Sequence, residues 1–315
     1  PVTINLFIFN YLYYLYLKVY FHHNEGIFLM QITKENLTII IVTIKSQNII
    51  DDCLKSIDPS IKKIIVENSS DKNFLDYLTK KYENLECYLT GKNLGMGAGN
   101  NFGIKKSKTR YIMVLNPDTI LKKDSLNKIF EISKNLNFAI LCPLSDNKDY
   151  PNYKLDKQVN EIQNNLLDVN QVDGYAMIFD KEHFNDSYFD EKIFMYLEND
   201  DLCLRLKRSN KKIYVYKNSL VSHLGAQTVD NRYYEELEYS RNWHWNWSKF
   251  YFRKKHYGFF KAFFSGFLIF IKSIFKSVIF LLINNKFKSK LYYCRASGFA
   301  NALLNKSSYY RPRLD

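Results

Sequence analysis

Glycine, proline and paired cysteines are scarce in this sequence. Its 315 residues include 11 glycines, 6 prolines and 5 cysteines, against 46% hydrophobic residues. This composition excludes a collagen-like or disordered chain and predicts a globular protein, with either one large domain and an appendage or two modest domains. No C-x-x-C pair occurs, so we predict neither structural zinc nor a disulfide framework, but reduced, cytoplasmic thiols. The cysteines are Cys53, Cys87, Cys142, Cys203 and Cys294.

Acidic residues are almost missing from the end of the chain. Residues 249–315 carry 14 lysines and arginines but a single acid, Asp315, whereas residues 1–248 are neutral overall. The formal net charge of +13 therefore lies in the tail. A basic and apolar tail predicts an anionic membrane surface as partner. Nucleic acid would match the charge but not the aliphatic and aromatic content, so we predict no nucleic-acid partner.

The first 29 residues are mostly apolar or aromatic, and their length approaches that of a membrane span. They lack a basic start and a small-residue cleavage site, so a signal peptide fits poorly. Two interpretations remain open for residues 1–29. They form a membrane segment, or they belong to an over-extended reading frame whose natural start is Met30.

Strand and helix patterns alternate from residue 38 onward, which predicts an α/β fold for residues 30–248. We expect a Rossmann-like, mixed but mainly parallel sheet flanked by helices, with ligands at the carboxyl ends of its strands. Residues 143–170 are polar and predict a surface loop. The predicted strands are Thr38–Ile44, Lys63–Val66, Glu86–Leu89, Tyr111–Leu115, Val172–Phe179 and Lys212–Tyr216, and the predicted helices are Asp51–Ile57, one from about Gly99, and the end of Phe194–Arg208.

Asn116-Pro117-Asp118 follows one of these strands. A carboxylate at a strand end can hold a hard divalent cation that in turn binds a diphosphate, which makes Asp118 a candidate metal ligand. The alternative is a helix cap or turn. His223 also follows a strand, and it becomes a candidate ligand if it lies near Asp118; otherwise it is structural.

Three acids lie within four residues at Glu198, Asp200 and Asp201. Such carboxylates repel one another unless they are used, and one of them could act as a general base. On a helix Asp201 can reach Arg205 at i+4. The alternative is an acidic helix N-terminus that the helix dipole favours.

The loop Asn93–Asn101 is rich in glycine but fails the G-x-G-x-x-G dinucleotide pattern. It still permits close backbone approach to a phosphate or ribose at a helix start. A plain tight turn is the alternative.

Taken in order, these motifs resemble the family 2 glycosyltransferases with the GT-A fold, and most of all their rhamnosyltransferase-type branch. The resemblance covers roughly residues 36–250. It is carried by Thr38–Ser46, Val66-Glu67-Asn68-Ser69-Ser70, Asn93-Leu94-Gly95 with Gly99-Asn100-Asn101 and Gly103, Leu115-Asn116-Pro117-Asp118, Val172-Asp173-Gly174-Tyr175-Ala176, Phe189-Asp190-Glu191, Phe194-Met195-Tyr196, Glu198, Asp201-Leu202-Cys203-Leu204-Arg205 and His223.

The resemblance implies an inverting transfer from a UDP- or dTDP-sugar with Mg²⁺ or Mn²⁺. Asp118 stands at the family's metal position and Asn116 replaces the first acid there. Asn199 stands where the family often has an acid, and an amide cannot take a proton. The base is therefore expected at Glu198, with Asp201 and Asp200 behind it. The nucleotide-binding residues implied are Thr43, Glu67, Asn68, Asn93, Gly95 and Asn116, and the metal ligands are Asp118 and His223.

The segment Phe259–Ile283 is apolar, but its polar residues fall on one narrow helical stripe. This predicts an amphipathic helix that lies in a membrane interface, with lysines at anionic headgroups. The alternative is a helix packed on the catalytic domain. The stripe consists of Lys261, Ser265, Lys272 and Lys276.

We thus expect a peripheral or monotopic enzyme at the cytoplasmic face of the cell membrane, with residues 249–315 as its membrane-associating tail. Its acceptor would be a saccharide or a lipid-linked molecule in surface polysaccharide synthesis, and rhamnose is one candidate sugar. Two rivals stay open. One is a nucleotidyltransferase, although Thr43-Ile44-Lys45-Ser46 lacks the glycine such an enzyme needs after its first strand. The other is an inactive, membrane-associated nucleotide-sugar-binding protein.

Overall fold

The structure is a computed structural model that describes residues 30–154, 160–162, 165–225 and 231–313. The apolar segment predicted at residues 1–29 lies outside the described residues, so both of its interpretations stay open.

The strands in these ranges are β1 (Leu37–Thr43), β2 (Lys62–Glu67), β3 (Leu85–Leu89), β4 (Tyr111–Leu115), β5 (Thr119–Leu121), β6 (Ile140–Ser145), β7 (Tyr153–Lys154), β8 (Asn160–Ile162), β9 (Leu166–Asp168), β10 (Gln171–Val172), β11 (Ala176–Asp180) and β12 (Ile213–His223). The helices are α1 (Ile50–Lys55), α2 (Lys72–Lys81), α3 (Met96–Lys106), α4 (Ser125–Ser133), α5 (Glu198–Arg208), α6 (Tyr234–Tyr257), α7 (Phe259–Leu282) and α8 (Lys286–Leu303). Short 3₁₀ helices span Lys181–His183 and Asn231–Tyr233.

Within the described part of the chain, ten strands form one sheet. Nine of them follow the order β3-β2-β1-β4-β11-β6-β12-β9-β8, and β5 pairs with β12. The first four strands run parallel, as does the β6–β12 pair, whereas β11 is antiparallel to both of its neighbours. The predicted mixed, mainly parallel sheet flanked by helices is confirmed. The parallel order brings the carboxyl ends of β1, β2 and β4 to one edge.

Helices cover both faces of the sheet, so β1 is buried along its whole length. Its alternating side chains enter two separate cores. Ile39 and Ile41 pack with residues of α1, α2 and α4, and Ile40 and Val42 pack with residues of α3 and α5. Helix α3 approaches β1 closely through a glycine, since a Cβ atom at Gly103 would come within 2.5 Å of Ile40 Cγ2.

Helices α6, α7 and α8 build a third core from aromatic residues such as Trp243, Trp247 and Phe250. The predicted domain boundary at residue 248 falls inside α6, because the apolar side chains on both sides of that position face the same helical cluster. The helical cluster of α6, α7 and α8 therefore begins at Tyr234, the first residue of α6.

Three sequence predictions differ from the structure. Helix α3 begins at Met96 and not near Gly99, because Gly95 takes a left-handed φ of 86° and serves as its N-cap. The surface loop predicted at 143–170 is wrong, since it includes the end of β6 and strands β7 to β9, and Leu166 and Leu167 are buried. The strand predicted at Val172–Phe179 is split between β10 and β11.

Candidate active site

The first part of the site lies where β1 and β2 end side by side. Thr43 and Glu67 are paired in the parallel register, and Thr43 Oγ1 donates a hydrogen bond of 2.6 Å to Glu67 Oε2. Ser69 Oγ donates to the other oxygen, Oε1, at 2.5 Å. Burial raises the pKa of Glu67, while the two hydroxyl donors oppose this shift. A buried carboxylate held by two hydroxyl groups therefore lies at the sheet edge.

The glycine-rich loop is fastened to this edge by Asn68. Its Nδ2 donates to Asn93 Oδ1 and to Gly95 O, both at 3.2 Å, and its Oδ1 accepts from Leu94 N at 3.0 Å. A Cβ atom at Gly95 would lie 2.3 Å from Phe194 O, so no other residue fits there without a shift. The predicted residues Asn68, Asn93 and Gly95 thus form one bonded unit beside Glu67.

Asp118 and His223 meet at the next strand end. The antiparallel pairing of β5 with β12 sets Thr119 opposite His223, and His223 Nε2 lies 3.3 Å from Asp118 Oδ1. The predicted proximity of His223 to Asp118 is confirmed. Tyr175 stacks on the imidazole with ring centroids 4.3 Å apart and an angle of 9°, which fixes the plane of the ring.

The residues at this strand end suit a hard divalent cation. Asp118 is 5% exposed and supplies a carboxylate, and His223 supplies a ring nitrogen. Asn116 Oδ1 is buried and accepts no hydrogen bond from any residue that the structure describes. Buried polar atoms normally have a hydrogen-bond or metal partner, and a bound cation would provide one for this oxygen. No group of three or more His, Cys, Asp or Glu arranged for a metal occurs among the described residues.

Asp173 belongs to this neighbourhood, although the sequence analysis assigned it no role. Burial raises its pKa, and the charges of Lys154 and His223 lower it. Burial likewise raises the pKa of Asp200, whose Oδ1 accepts a 2.5 Å hydrogen bond from Gln171 Nε2. Asp173 was detectable in principle, since it stands in the Val172–Ala176 motif. Its nearness to Asp200 depends on the packing of the two-residue strand β10 against α5, where Gln171 contacts Asp200 and Asn199 contacts Val172. So short a strand gives no signal in the sequence.

Glu198 is the first residue of α5 and the strongest candidate for a general base. Its Oε2 is buried and has no hydrogen-bond partner among the described residues. Burial raises the pKa of Glu198 to about 7, with a further contribution from the charge of Asp200. A Cβ atom at Gly97 would lie 3.7 Å from Glu198 Cβ, so the acid is next to the glycine-rich start of α3.

Asp201 faces in a different direction and is fully buried. Its Oδ2 accepts from Arg205 Nε at 2.9 Å, so the predicted Asp201–Arg205 pair is confirmed. Its Oδ1 lies 2.6 Å from Lys255 Nζ and 2.7 Å from His256 Nε2. Both oxygens are thus engaged by cations or an imidazole, which suits a structural carboxylate more than a base.

Asn199 has a local structural task. Its Nδ2 donates a 2.8 Å hydrogen bond to Val172 O, which joins α5 to the β10 region. The amide therefore positions the neighbouring chain, and Glu198 and Asp200 stay candidates for the base.

Residues 38–198 match the family model of Glycosyl transferase family 2. Because the match covers half of the chain and agrees with the fold and the order of the site motifs, the chain belongs to glycosyl transferase family 2. It is a glycosyltransferase of the GT-A fold.

Two characterised glycosyltransferases are similar to this chain in sequence. The chain is 26% identical over 220 residues to the low-salt glycan biosynthesis hexosyltransferase Agl10 of Haloferax volcanii. The aligned region covers 64% of this chain and 70% of that protein. The chain is 30% identical over 208 residues to the rhamnosyltransferase WbbL of Escherichia coli strain K12, covering 56% of this chain and 78% of that protein.

Two solved structures are similar at a lower level. The crystal structure of S. aureus TarS residues 1–349 has a TM-score of 0.49 and 13% identity, covering 88% of this chain and 93% of that one. The crystal structure of GalNAc-T7 with UDP, GalNAc and Mn²⁺ has the same TM-score and identity, covering 66% of this chain and 51% of that one.

Proposed function

We propose that this glycosyltransferase moves a hexose from a UDP- or dTDP-sugar to a saccharide or lipid-linked acceptor, with inversion at the anomeric carbon. The observation that carries the proposal is the position of Glu198. A buried carboxyl group with a pKa near 7 lies beside the glycine-rich loop and near the edge that bears Glu67. The names of the two relatives support a hexosyltransferase, and one of them makes rhamnose a candidate sugar.

The donor half of the site would use the sheet edge. The Glu67 carboxylate can accept hydrogen bonds from a base or ribose, and Thr43 holds it in place. Asn68, Asn93 and Gly95 hold the start of α3 close to the same edge, where backbone N–H groups favour a phosphate. Asn116 continues this edge toward Asp118.

Asp118 and His223 would hold Mg²⁺ or Mn²⁺, with Asn116 Oδ1 available as a further oxygen. Such ions usually combine one or two carboxylates with substrate phosphates, which fits the small donor set found here. When bound, the cation would stabilise negative charge on the leaving diphosphate.

Glu198 would remove the proton from the acceptor hydroxyl as the oxygen attacks the anomeric carbon. The bond from that carbon to the diphosphate oxygen breaks on the opposite face, so the nucleoside diphosphate leaves and the configuration inverts. A base whose pKa lies near the working pH is ionised in a large fraction of the molecules and is still basic enough to take the proton. Asp200 is the second candidate, and Asp201 would hold α5 in place.

The tail would bind the cytoplasmic face of an anionic membrane, where donor and lipid-linked acceptor meet in surface polysaccharide synthesis. Helix α7 is long and apolar enough to cross a membrane by length and composition, and 6% of its most apolar window is buried. Small residues face the other helices, with Ala262 and Ser273 buried. At 100° per residue, the large apolar side chains that α7 exposes fall, apart from Ile269, within an arc of roughly 200° that ends at the lysine stripe. Among the most exposed of them are Phe260, Phe264, Leu268 and Leu282.

This distribution favours an interfacial helix over one packed on the catalytic domain. The apolar arc faces solvent, and the lysine stripe lies along one of its borders. An interfacial helix places its apolar face in the acyl boundary and its lysines at anionic headgroups.

We expect Asp118→Ala to abolish transfer while the protein stays folded, because the diphosphate loses its metal anchor. The binding of UDP or dTDP, measured by calorimetry, should also no longer depend on Mn²⁺. Asp149→Ala, a change at an exposed acid in a loop, is the control and should keep both. Near-normal turnover of Asp118→Ala with intact metal dependence would remove Asp118 from the site.

We expect Glu198→Gln to lower kcat by about 10²- to 10⁴-fold with little change in nucleotide affinity, because a general base acts in the transition state. Burial raises the pKa of Glu198 above its unfolded value, so ionisation destabilises the folded protein as the pH rises toward and past 7. The glutamine variant should therefore melt at the same or a higher temperature at pH 8.

Two neighbours serve as comparisons for Glu198. Asp200→Asn should have a smaller effect on kcat. Asp201→Asn should instead lower the melting temperature, because loss of one partner in a buried ion cluster costs about 3–5 kcal/mol. If Asp200→Asn or Asp201→Asn loses activity without unfolding while Glu198→Gln keeps it, the wrong carboxylate has been assigned.

We expect the protein to float with vesicles that contain phosphatidylglycerol and less with phosphatidylcholine alone. Phe264→Glu with Leu268→Glu should abolish flotation, and glutamine at Lys261, Lys272 and Lys276 should weaken only the binding to anionic vesicles. Leu304→Glu changes an exposed leucine outside α7 and is the control. Flotation that none of the α7 changes reduces would contradict an interfacial helix.

A further inference from the structure

The short segment that leads into Glu198 is covered by one face of helix α6. The Phe194 ring packs on His244 with centroids 4.5 Å apart, and Ser248 Oγ donates a 2.7 Å hydrogen bond to Met195 O. Tyr196 meets Trp245 at 5.5 Å with nearly perpendicular rings. His244, Trp245 and Ser248 follow the spacing of one helical face. The third helical cluster is therefore part of the wall around the proposed base.

Trp245 differs from the other tryptophans of α6. Trp243 and Trp247 are 1% and 3% exposed, and both indole N–H groups donate hydrogen bonds inside the cluster. Trp245 is 45% exposed. Its perpendicular contact with Tyr196 leaves much of the large indole surface open to solvent. This open aromatic surface contacts Tyr196, two residues before Glu198, and offers a ligand an apolar face.

Charged groups surround this aromatic pair. Burial raises the pKa of Tyr196, and the charges of Arg241, Glu238 and Glu198 are near enough to contribute to this pKa. Arg241 Nη1 and Glu238 Oε1 form an ion pair of 3.0 Å one turn before Trp245. Tyr196 and Leu197 both have left-handed φ values, of 68° and 69°. For such residues this backbone is uncommon and is held by its surroundings, which here include α6.

We propose that Trp245 and Tyr196 form the acceptor platform, on which a sugar ring of the acceptor stacks with one hydroxyl directed to Glu198. This inference rests on the proposed function and names the acceptor as a saccharide at this site. The C–H face of a pyranose ring is apolar and packs on an aromatic ring, and its hydroxyls require polar partners. Arg241 and Glu238 provide a donor and an acceptor at the rim.

The platform separates acceptor from donor. Glu67, Asn68 and Asp118 lie on the sheet, whereas Trp245 and Arg241 lie on α6. Glu198 borders Gly97 of the glycine-rich loop, and Tyr196, two residues before it, contacts Trp245 of α6. A base must reach the acceptor hydroxyl and not the nucleotide, so this arrangement gives each substrate its own wall.

The test uses the full chain and a panel of methyl glycosides of glucose, galactose, mannose, N-acetylglucosamine and rhamnose as acceptors. The donor is the UDP- or dTDP-sugar that the wild type hydrolyses fastest without acceptor. We expect Trp245→Ala to raise the KM for the best glycoside about tenfold or more, while the Kd for the nucleotide stays unchanged. Trp245→Phe should recover most of the affinity. Tyr257→Ala removes an aromatic ring of equal 45% exposure from the same helix and should keep the wild-type KM.

Each other outcome is decisive. An unchanged KM in Trp245→Ala, or a loss of nucleotide affinity in its place, overturns the platform. A loss that appears only as weaker vesicle binding assigns Trp245 to the membrane and also overturns it. Donor hydrolysis by the wild type without transfer to any glycoside overturns the platform but leaves the proposed function standing. Failure to hydrolyse any donor removes the proposed function, and the platform with it.

Discussion

The buried carboxylate of Asp201 is the interaction on which the arrangement of the site depends. It joins Arg205 of its own helix to Lys255 and His256 at the end of α6, and it is fully shielded from water. An unpaired charge at such a position is strongly destabilising, so the two helices are held in one relative position. Because Glu198 stands one turn before Asp201, the same contacts set the height of the proposed base above the glycine-rich loop.

The other features of the site follow from the polar side chains that lie at the ends of buried, apolar strands. Parallel strands bring Thr43, Glu67, Asn116 and Asp118 to one edge of the sheet, and the cores on its two faces support that edge. The third helical core supplies the opposite wall. Its outer helix α7 turns large apolar side chains to solvent, which connects a proposed catalytic cleft to a proposed membrane surface through a single helical cluster.

Much of the sheet was predictable from the sequence, because β1, β2 and β4 are continuous apolar runs followed by polar clusters. The nearness of His223 to Asp118 was expected only through the family resemblance, since it depends on the pairing of the end of β12 with β5, a three-residue strand that the sequence did not predict. The strands within residues 143–170 were not predictable, because short segments such as Leu166–Asp168 carry no periodic signal amid polar residues. The partners of Asp201 were hidden too, since Lys255 and His256 lie more than fifty positions away and pair only through the packing of α6 on α5.

The central claim is that Glu198 acts as the base with a pKa displaced by burial, and the pH dependence of kcat tests it most directly. A base must be ionised to accept a proton, so kcat of the wild type at saturating substrates should rise with pH through a midpoint of about 7. The residual activity of Glu198→Gln should lack this midpoint. A flat wild-type profile between roughly pH 5.5 and 8.5, or the same midpoint in the Glu198→Gln variant, would contradict the account.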